Sequence, residues 1–342
     1  MRYLLFPFSL IYASITSIRN LGFDYGIFKS QNHNIPIICI GNLSVGGSGK
    51  TPHAQYVVNL LKNNYKVAIL SRGYGRNSSS LQYVEVNSTP SQVGDEPLLI
   101  KQNHPDCLVV VEKNRNKGVK QILKDFPETE IILLDDGFQH RWIKAGFNIL
   151  ITSYFSPYYQ DYVIPVGNLR ESKKGAERAQ IIIISKTPEQ SKPAEKKGML
   201  AKLNLFDNQT AYFSHIEYSK WKCINTNNEL QDDKTYSITL VTGIANAQPL
   251  VSHLQKVGHS VHHLEYADHH KYTTKDIDNI LAKYNADKST KKLILTTEKD
   301  AAKLREFKKQ FGTENVYFSP IEVVLGQSEK FEKQILDYVA KN

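Results

Sequence analysis

An apolar run, IPIICI (35–40), breaks abruptly into GNLSVGGSGKTPH (41–53). The run reads as a buried strand. The segment beyond the glycine-rich loop reads as a helix, with Ala54, Val57, Val58, Leu60 and Leu61 supplying an apolar face. A glycine-rich turn between strand and helix curls backbone N–H groups around phosphate oxygens, and the positive end of the helix faces the same point. Ser44, Val45, Gly46, Gly47, Ser48, Gly49, Lys50 and Thr51 are therefore the candidate nucleotide-binding residues. Ser44 stands where the pattern GxxxxGK[ST] has its first glycine; the rest of the pattern is intact. Lys50 is placed to reach the β- and γ-phosphates, and Thr51 to ligate Mg²⁺.

Such a loop belongs on a parallel sheet, and the chain supplies one. KVAIL (66–70), CLVVV (107–111), EIILL (130–134), FNILIT (147–152) and QIIIIS (180–185) are apolar throughout rather than alternating, as in strands buried on both faces. Helical or loop segments separate them. The expected fold is α/β: a P-loop NTPase core with a parallel sheet flanked by helices, plus a second, smaller α/β domain. ITLVTGIA (238–245), a helix through 247–257, SVHHLEY (260–266), a helix near 274–284 and KLILTT (292–297) make up the second unit. The expected division is 1–215 for the core, 216–237 for a linker and 238–342 for a lid-like domain.

A P-loop needs a second Mg²⁺ anchor at a strand end, and IILLDD (131–136) offers Asp135 and Asp136. Asp135 is the nearer candidate, since adjacent carboxylates at a sheet edge repel unless a cation joins them. His140, in the following GFQH, is placed to orient acids or phosphates. A kinase also needs a base for an acceptor hydroxyl and cations for the transferring phosphoryl group. GDEP (94–97) supplies Asp95 and Glu96. Arg72 and Arg76 in SRGYGR, Arg115, and Arg170 with Glu171 in PVGNLRES follow other strands. HSVHHLEYADHH (259–270) holds five histidines at spacings that match no zinc signature, so one catalytic histidine in ADHHKY is the better expectation.

The net charge of +9 favours anionic partners, but no RNP, KH or zinc-finger pattern points to nucleic acid. Cys39, Cys107 and Cys223 are far apart, as isolated thiols of a reducing compartment are. Residues 3–18, YLLFPFSLIYASITSI, are too short to span a bilayer and lack a small-x-small cleavage site. A helix here either lies in a membrane interface, flanked by Arg2, Arg19 and Lys29, or packs on the core.

GNLSVGGSGKTPH, LSRGYGR (70–76), GDEP, LLDDGFQHR (133–141), PVGNLRE (165–171), VTGIANAQPL (241–250), ADHHKY (267–272) and TEKDAAKL (297–304) occur in the order seen in the tetraacyldisaccharide 4'-kinase family of lipid A biosynthesis, which the chain closely resembles. That family's P-loop also lacks the first glycine. The resemblance implies transfer of the ATP γ-phosphate, with Mg²⁺, to the 4'-hydroxyl of a lipid A disaccharide precursor. It places a peripheral enzyme on the anionic cytoplasmic face of the inner membrane, with no nucleic acid and no obligate protein partner. By the same resemblance Asp95 is the base and His269 its orienting partner. Lys50, Thr51, Asp135 and Asp136 take the nucleotide and Mg²⁺ positions. Arg72, Arg115, Arg170 and Glu171 line the acceptor and phosphoryl pocket, and the N-terminal helix contacts the membrane. The role of Lys299 in TEKD stays open between nucleotide contact and structural support. The competing readings are a GTPase-like metallochaperone using the histidine cluster and a non-catalytic ATP-binding membrane adaptor.

Overall fold

The computed structural model describes residues 2–232, 234–312 and 315–342. Its strands are β1 (Ile37–Gly41), β2 (Val67–Ser71), β3 (Gln82–Tyr83), β4 (Leu108–Val111), β5 (Ile131–Asp135), β6 (Phe147–Ser153), β7 (Ile181–Ser185), β8 (Thr210–Tyr218), β9 (Lys222–Cys223), β10 (Ser237–Thr242), β11 (Ser260–Glu265), β12 (Lys292–Thr297), β13 (Val316–Ser319) and β14 (Ile321–Leu325). The helices are α1 (Phe6–Asp24), α2 (Lys50–Leu61), α3 (Pro90–Val93), α4 (Asp95–Asn103), α5 (Arg115–Asp125), α6 (Pro193–Leu203), α7 (Gln248–Lys256), α8 (Thr274–Ala286), α9 (Glu298–Leu304), α10 (Lys308–Phe311) and α11 (Ser328–Ala340).

Among the described residues the strands form two sheets. The larger runs β14-β8-β7-β6-β1-β5-β2-β4-β3 and is parallel except at its two edges, β14 on β8 and β3 on β4. The uniformly apolar runs are its interior strands, covered on both faces. Ala54, Val57, Val58 and Leu61 of α2 share one core layer with Phe331, Ile335 and Val339 of α11. Val119 and Ile122 of α5 and Leu203 of α6 pack in the other. The second sheet, β11-β10-β12-β13-β9, has its own core around Ile277, Ile280, Ile294 and Phe318, with a further cluster around Leu250 and Leu254 of α7.

The expected boundary of the second unit needs correction at both ends. β8 continues to Tyr218 in the large sheet, and β9, inside the segment expected as a linker, pairs with β13 in the small one. The chain then returns: β14 pairs antiparallel with β8, Ile321 opposite Tyr218, and α11 seals the core. The cause is that two adjacent strands divide between two sheets with only Pro320 between them. The smaller unit is thus an insertion tethered at 219–221 and at Pro320, where Ser219 N–H donates to the Pro320 carbonyl (3.1 Å).

Strand order sets the site. β1 lies between β6 and β5, with Ile40 in register with Asp135, and β2 and β4 follow. The C-terminal ends of β1, β5, β2 and β4 therefore bring the P-loop, Asp135–Asp136, Arg72 and Arg115 to one sheet edge, where parallel sheets bind ligands.

Candidate active site

The P-loop is held from all sides. Gly46 and Gly49 have φ of 98° and 87°, a left-handed region that β-carbon-bearing residues avoid. Ser44 needs no such freedom, because its backbone forms a bridge with Leu169. This accounts for the departure from the strict motif. Asn42 donates to Ser48 Oγ (2.8 Å) and accepts from Lys50 Nζ (3.3 Å), so it holds the lysine in the loop. Ser185 Oγ donates to the Ser48 carbonyl (2.7 Å) and Lys186 Nζ to that of Gly47 (2.6 Å). His53 Nδ1 lies 2.7 Å from the Gly49 carbonyl, which can only accept, so Nδ1 carries the proton and Nε2 accepts from Ser214 Oγ (2.8 Å). Burial pushes His53 down to about 4, which keeps it neutral in this clamp.

At the end of β5, Asp135 is fully buried. It accepts a long bond from Ser71 Oγ (3.4 Å) at Oδ2, while Oδ1 has no partner among the described residues. Burial first, then the charges of Glu96 and Asp136, push its pKa well up. An orphaned oxygen on a buried carboxylate fits a hard divalent cation, and Thr51 is buried at the start of α2, which follows the neighbouring strand β1. Asp136 sits at φ 48°, a strained conformation of the kind stored at functional sites. Its oxygens face Arg170 (3.0 and 3.1 Å) and Lys50 (3.7 Å). Burial opposes the ionised form of Asp136, but these two cations outweigh it and hold its carboxyl below the usual range.

Arg115, only 2% exposed, donates Nη1 to the Glu112 and Lys113 carbonyls and leaves Nε unpartnered among the described residues. Burial lowers it to about 10 against the pull of Asp135 and Asp136, so it stays charged at neutral pH. Arg72 is exposed, and its charge reaches both Arg115 and His140. His140 is pushed down to about 4 by burial and by Arg115, Arg72 and Arg19, with a buried Nε2 that lacks a partner among the described residues. Arg76 instead ties its own loop to the Ser80 and Val111 carbonyls.

Glu171 differs from expectation. It is 2% exposed, and its two oxygens are taken by Asn20 (2.6 Å), Gln139 (3.1 Å) and Arg178 (2.9 and 3.1 Å). A carboxylate so enclosed has nothing left for an acceptor. It anchors α1 and the loop bearing Arg170.

Asp95 opens α4 after Gly94, whose φ of 95° and close approach to the Tyr74 carbonyl exclude a side chain. From the other unit, His269 at φ 59° brings Nδ1 to 2.8 Å from Asp95 Oδ2. Asp95 Oδ1 accepts from the Glu96 N–H (3.0 Å). Lys299 and Lys303 of α9 place ammonium groups 3.7 and 4.0 Å from Oδ2. Burial would raise Asp95, but the His269 bond and the two lysines outweigh it and bring the carboxyl to about 2. His269 is raised, chiefly by that same bond. A cavity of about 140 Å³ lined by Tyr74, Ser91, Asp95, His269, Lys303 and Phe307 adjoins the pair.

The remaining histidines do not gather. His259 accepts from the Tyr236 N–H, His263 pairs with Thr242 and His270 with Asp276. Among the described residues the one grouping close enough to hold a metal is the largely exposed Glu189–His215–Glu217, which takes nothing from the 259–270 cluster.

Residues 1–340 match the family model for tetraacyldisaccharide-1-P 4'-kinase, LpxK. The chain belongs to this family. It is 38% identical to the tetraacyldisaccharide 4'-kinase of Bacteroides thetaiotaomicron, covering 99% of this chain and 93% of the relative. It is 41% identical to that of Flavobacterium psychrophilum, covering 99% and 97%. The crystal structure of LpxK from Aquifex aeolicus in complex with ATP matches with a TM-score of 0.79 at 30% identity, over 99% of each chain. Against that family background three residues of the site stand out as missed by motif reading: Asn42 and Lys186, which flank the P-loop, and Lys303, which faces Asp95. Glu96, read from GDEP beside Asp95, acts electrostatically on Asp135 instead. Lys186 carried one usable signal, its position directly after a buried strand.

Proposed function

We propose that Asp95, oriented by His269, is the general base in an ATP-dependent transfer of phosphate to the 4'-hydroxyl of a tetraacyldisaccharide 1-phosphate, the acceptor named in this family. The supporting observation is the 2.8 Å bond from His269 Nδ1 to Asp95 Oδ2, which joins a residue of the inserted unit to one of the core. Closure of the inserted unit then assembles the base. Asp95 accepts the hydroxyl proton as the acceptor oxygen bonds to the γ-phosphorus and the bond to ADP breaks. A carboxylate this acidic is a weak base. A loose phosphoryl-transfer transition state needs little proton removal until late, so such a base suffices. Lys50, Arg170 and Arg115 offset charge on the phosphoryl oxygens. Thr51, Asp135 and Asp136 would hold Mg²⁺, which would supply positive charge to the transferring phosphoryl group. Arg72, exposed beside Arg115, is the cation left for the acceptor.

The acceptor is a lipid, and α1 supports delivery from a membrane. Phe8, Ile11, Ile15 and Ile18 lie three and four residues apart and are all exposed. The opposite face is tied down: Ser9 Oγ donates to the Val163 carbonyl, Tyr12 OH to that of Arg170, and Asn20 to Glu171. No described helix is long and apolar enough to cross a membrane. α1 lies in the interface of an anionic membrane, at the cytoplasmic face of the inner membrane, and its inner face touches the Arg170 loop.

The test is incubation with γ-labelled ATP and purified tetraacyldisaccharide 1-phosphate, followed by mapping of the label. Label on the 4'-hydroxyl is expected. Hydrolysis of ATP with an unlabelled lipid, or label at another hydroxyl, overturns the reading.

A further inference from the structure

The TEKD segment is not absorbed by the chemistry above. Thr297 caps α9, and Asp300 is buried, accepting from Thr297 Oγ1 and the Gly243 N–H. Lys299 turns the other way, into the space between the two units. Its Nζ lies 3.2 Å from His269 Nε2, 3.5 Å from Asp268 Oδ1, 3.7 Å from Asp95 Oδ2 and 3.9 Å from Glu96 Oε1.

An ammonium group has three donors and no acceptor. At 3.2 Å from Nε2 it requires that nitrogen to present a lone pair. The ring proton is then on Nδ1, aimed at Asp95. An imidazolium would set a second N–H donor and a second positive charge against the ammonium. Asp95 pulls the other way, since a carboxylate at Nδ1 favours the charged ring. Asp95 of α4, Asp268 beside the histidine, Lys299 of α9 and the Tyr74 ring at 5.5 Å face it, while Glu96 reaches Lys299 and Lys303 reaches Asp95.

We propose that Lys299 is a positioning residue for the catalytic pair, its ammonium opposing the pull of Asp95 on the His269 ring and fixing the neutral ring as the Nδ1–H tautomer in the closed enzyme. The inference rests on Asp95 being the base. Four acids, Asp95, Glu96, Asp268 and Asp300, outweigh its burial and raise the pKa of Lys299, so it remains charged at the pH where the pair works. On balance the Asp95 bond raises His269, and the charge of Lys299 acts against that rise. A neutral ring donates to Asp95 without neutralising it. A charged ring would hold the carboxylate in a tight ion pair and weaken it further as a base.

The variants are Lys299→Met, which removes the charge, and Lys299→Arg, which keeps it. Imidazole ¹⁵N NMR of the full-length protein reads the tautomer and titration of His269, assigned by the signal lost in His269→Gln. The wild type and Lys299→Arg should show the Nδ1–H tautomer. Lys299→Met should raise the proton affinity of His269 by about tenfold or more. The acid limb of the kcat profile should move up in pH by the same amount. If Lys299→Met proves unstable, Lys299→Gln repeats the test at nearly the same volume. An unchanged His269 titration in a folded Lys299→Met or Lys299→Gln protein overturns the proposal. So does a loss of kcat that is uniform with pH, or a Lys299→Arg protein that titrates like Lys299→Met. The NMR measurement needs no turnover. Failure of the base reading would instead appear as undiminished activity in Asp95→Asn, so the two failures are separable.

Discussion

Asp95 and His269 are 174 residues apart in the chain, stand in different structural units, and share a 2.8 Å hydrogen bond. On the proposed reading that bond orients the proton acceptor, and only while the inserted unit is against the core.

Replacing Asp95 by Ala should lower kcat by about 10² to 10⁴-fold, the range for removing a general base, and change ATP affinity little. Steady-state turnover and equilibrium ATP binding, measured side by side, decide it. A parallel collapse of both would move Asp95 to the nucleotide or metal site.

The same pair gives the contact between units a pH signature. The Asp95 carboxyl is depressed from 3.8 to about 2, so its contribution is present above the unfolded value and lost as pH falls through about 2. His269 is raised above 6.5, so its contribution is full below 6.5 and lost as pH rises through the folded value. The stability gap between wild type and His269→Gln should therefore be larger at about pH 6 than at about pH 9. Thermal unfolding at the two values checks it; a gap that grows with pH contradicts the assignment.

Asp135→Asn should stabilise the metal-free protein by about 1–2 kcal/mol, because a buried charge with an orphaned oxygen becomes a neutral amide. Mg²⁺-dependent turnover should fall by orders of magnitude in the same variant. Chemical denaturation in the presence of a chelator separates the two effects.

Ile11→Glu with Ile15→Glu places two charges on the exposed face of α1. Association with anionic vesicles should weaken by about tenfold or more, with ATP binding intact. Sedimentation with vesicles is the direct measurement, and unaltered binding would leave α1 as packing alone.

His53→Ala removes the partner of both Ser214 Oγ and the Gly49 carbonyl. A cost of about 1–3 kcal/mol is expected from the groups left unpaired, together with weaker nucleotide binding. Denaturant titration and ATP binding report the two parts.

What was legible in the sequence depends on how locally each feature is determined. Phosphate binding demands glycines and a lysine within a single loop, so residues 44–51 announce themselves. Strands buried on both faces must be apolar along their length, so the interior of the large sheet could be read strand by strand. The pairing of His269 with Asp95 has no local signature; it came only with the family resemblance. Glu171 looked like a pocket residue because its neighbours Asn20, Gln139 and Arg178 are distant in sequence and their combined claim on it is invisible there. Lys303 was lost in a lysine-rich stretch, where only the fold distinguishes a buried ammonium from solvated ones. The return of β14 was missed for a related reason. A five-residue strand does not say which sheet it will join, and Pro320 is too short a connection to read as a boundary.

That return has a consequence for how the protein comes into being. Tyr338 hydroxyl lies 3.2 Å from both the amide and the carbonyl of Ile37, at the foot of the strand that carries the P-loop, and Phe331 and Ile335 fill the layer beneath it. The nucleotide-binding half, though translated earlier, waits for a residue 301 positions further along the chain. A chain stopped before Ile321 would have its inserted unit complete and its larger sheet open along one edge. Premature termination ahead of Ile321 should therefore yield insoluble product rather than a shortened enzyme.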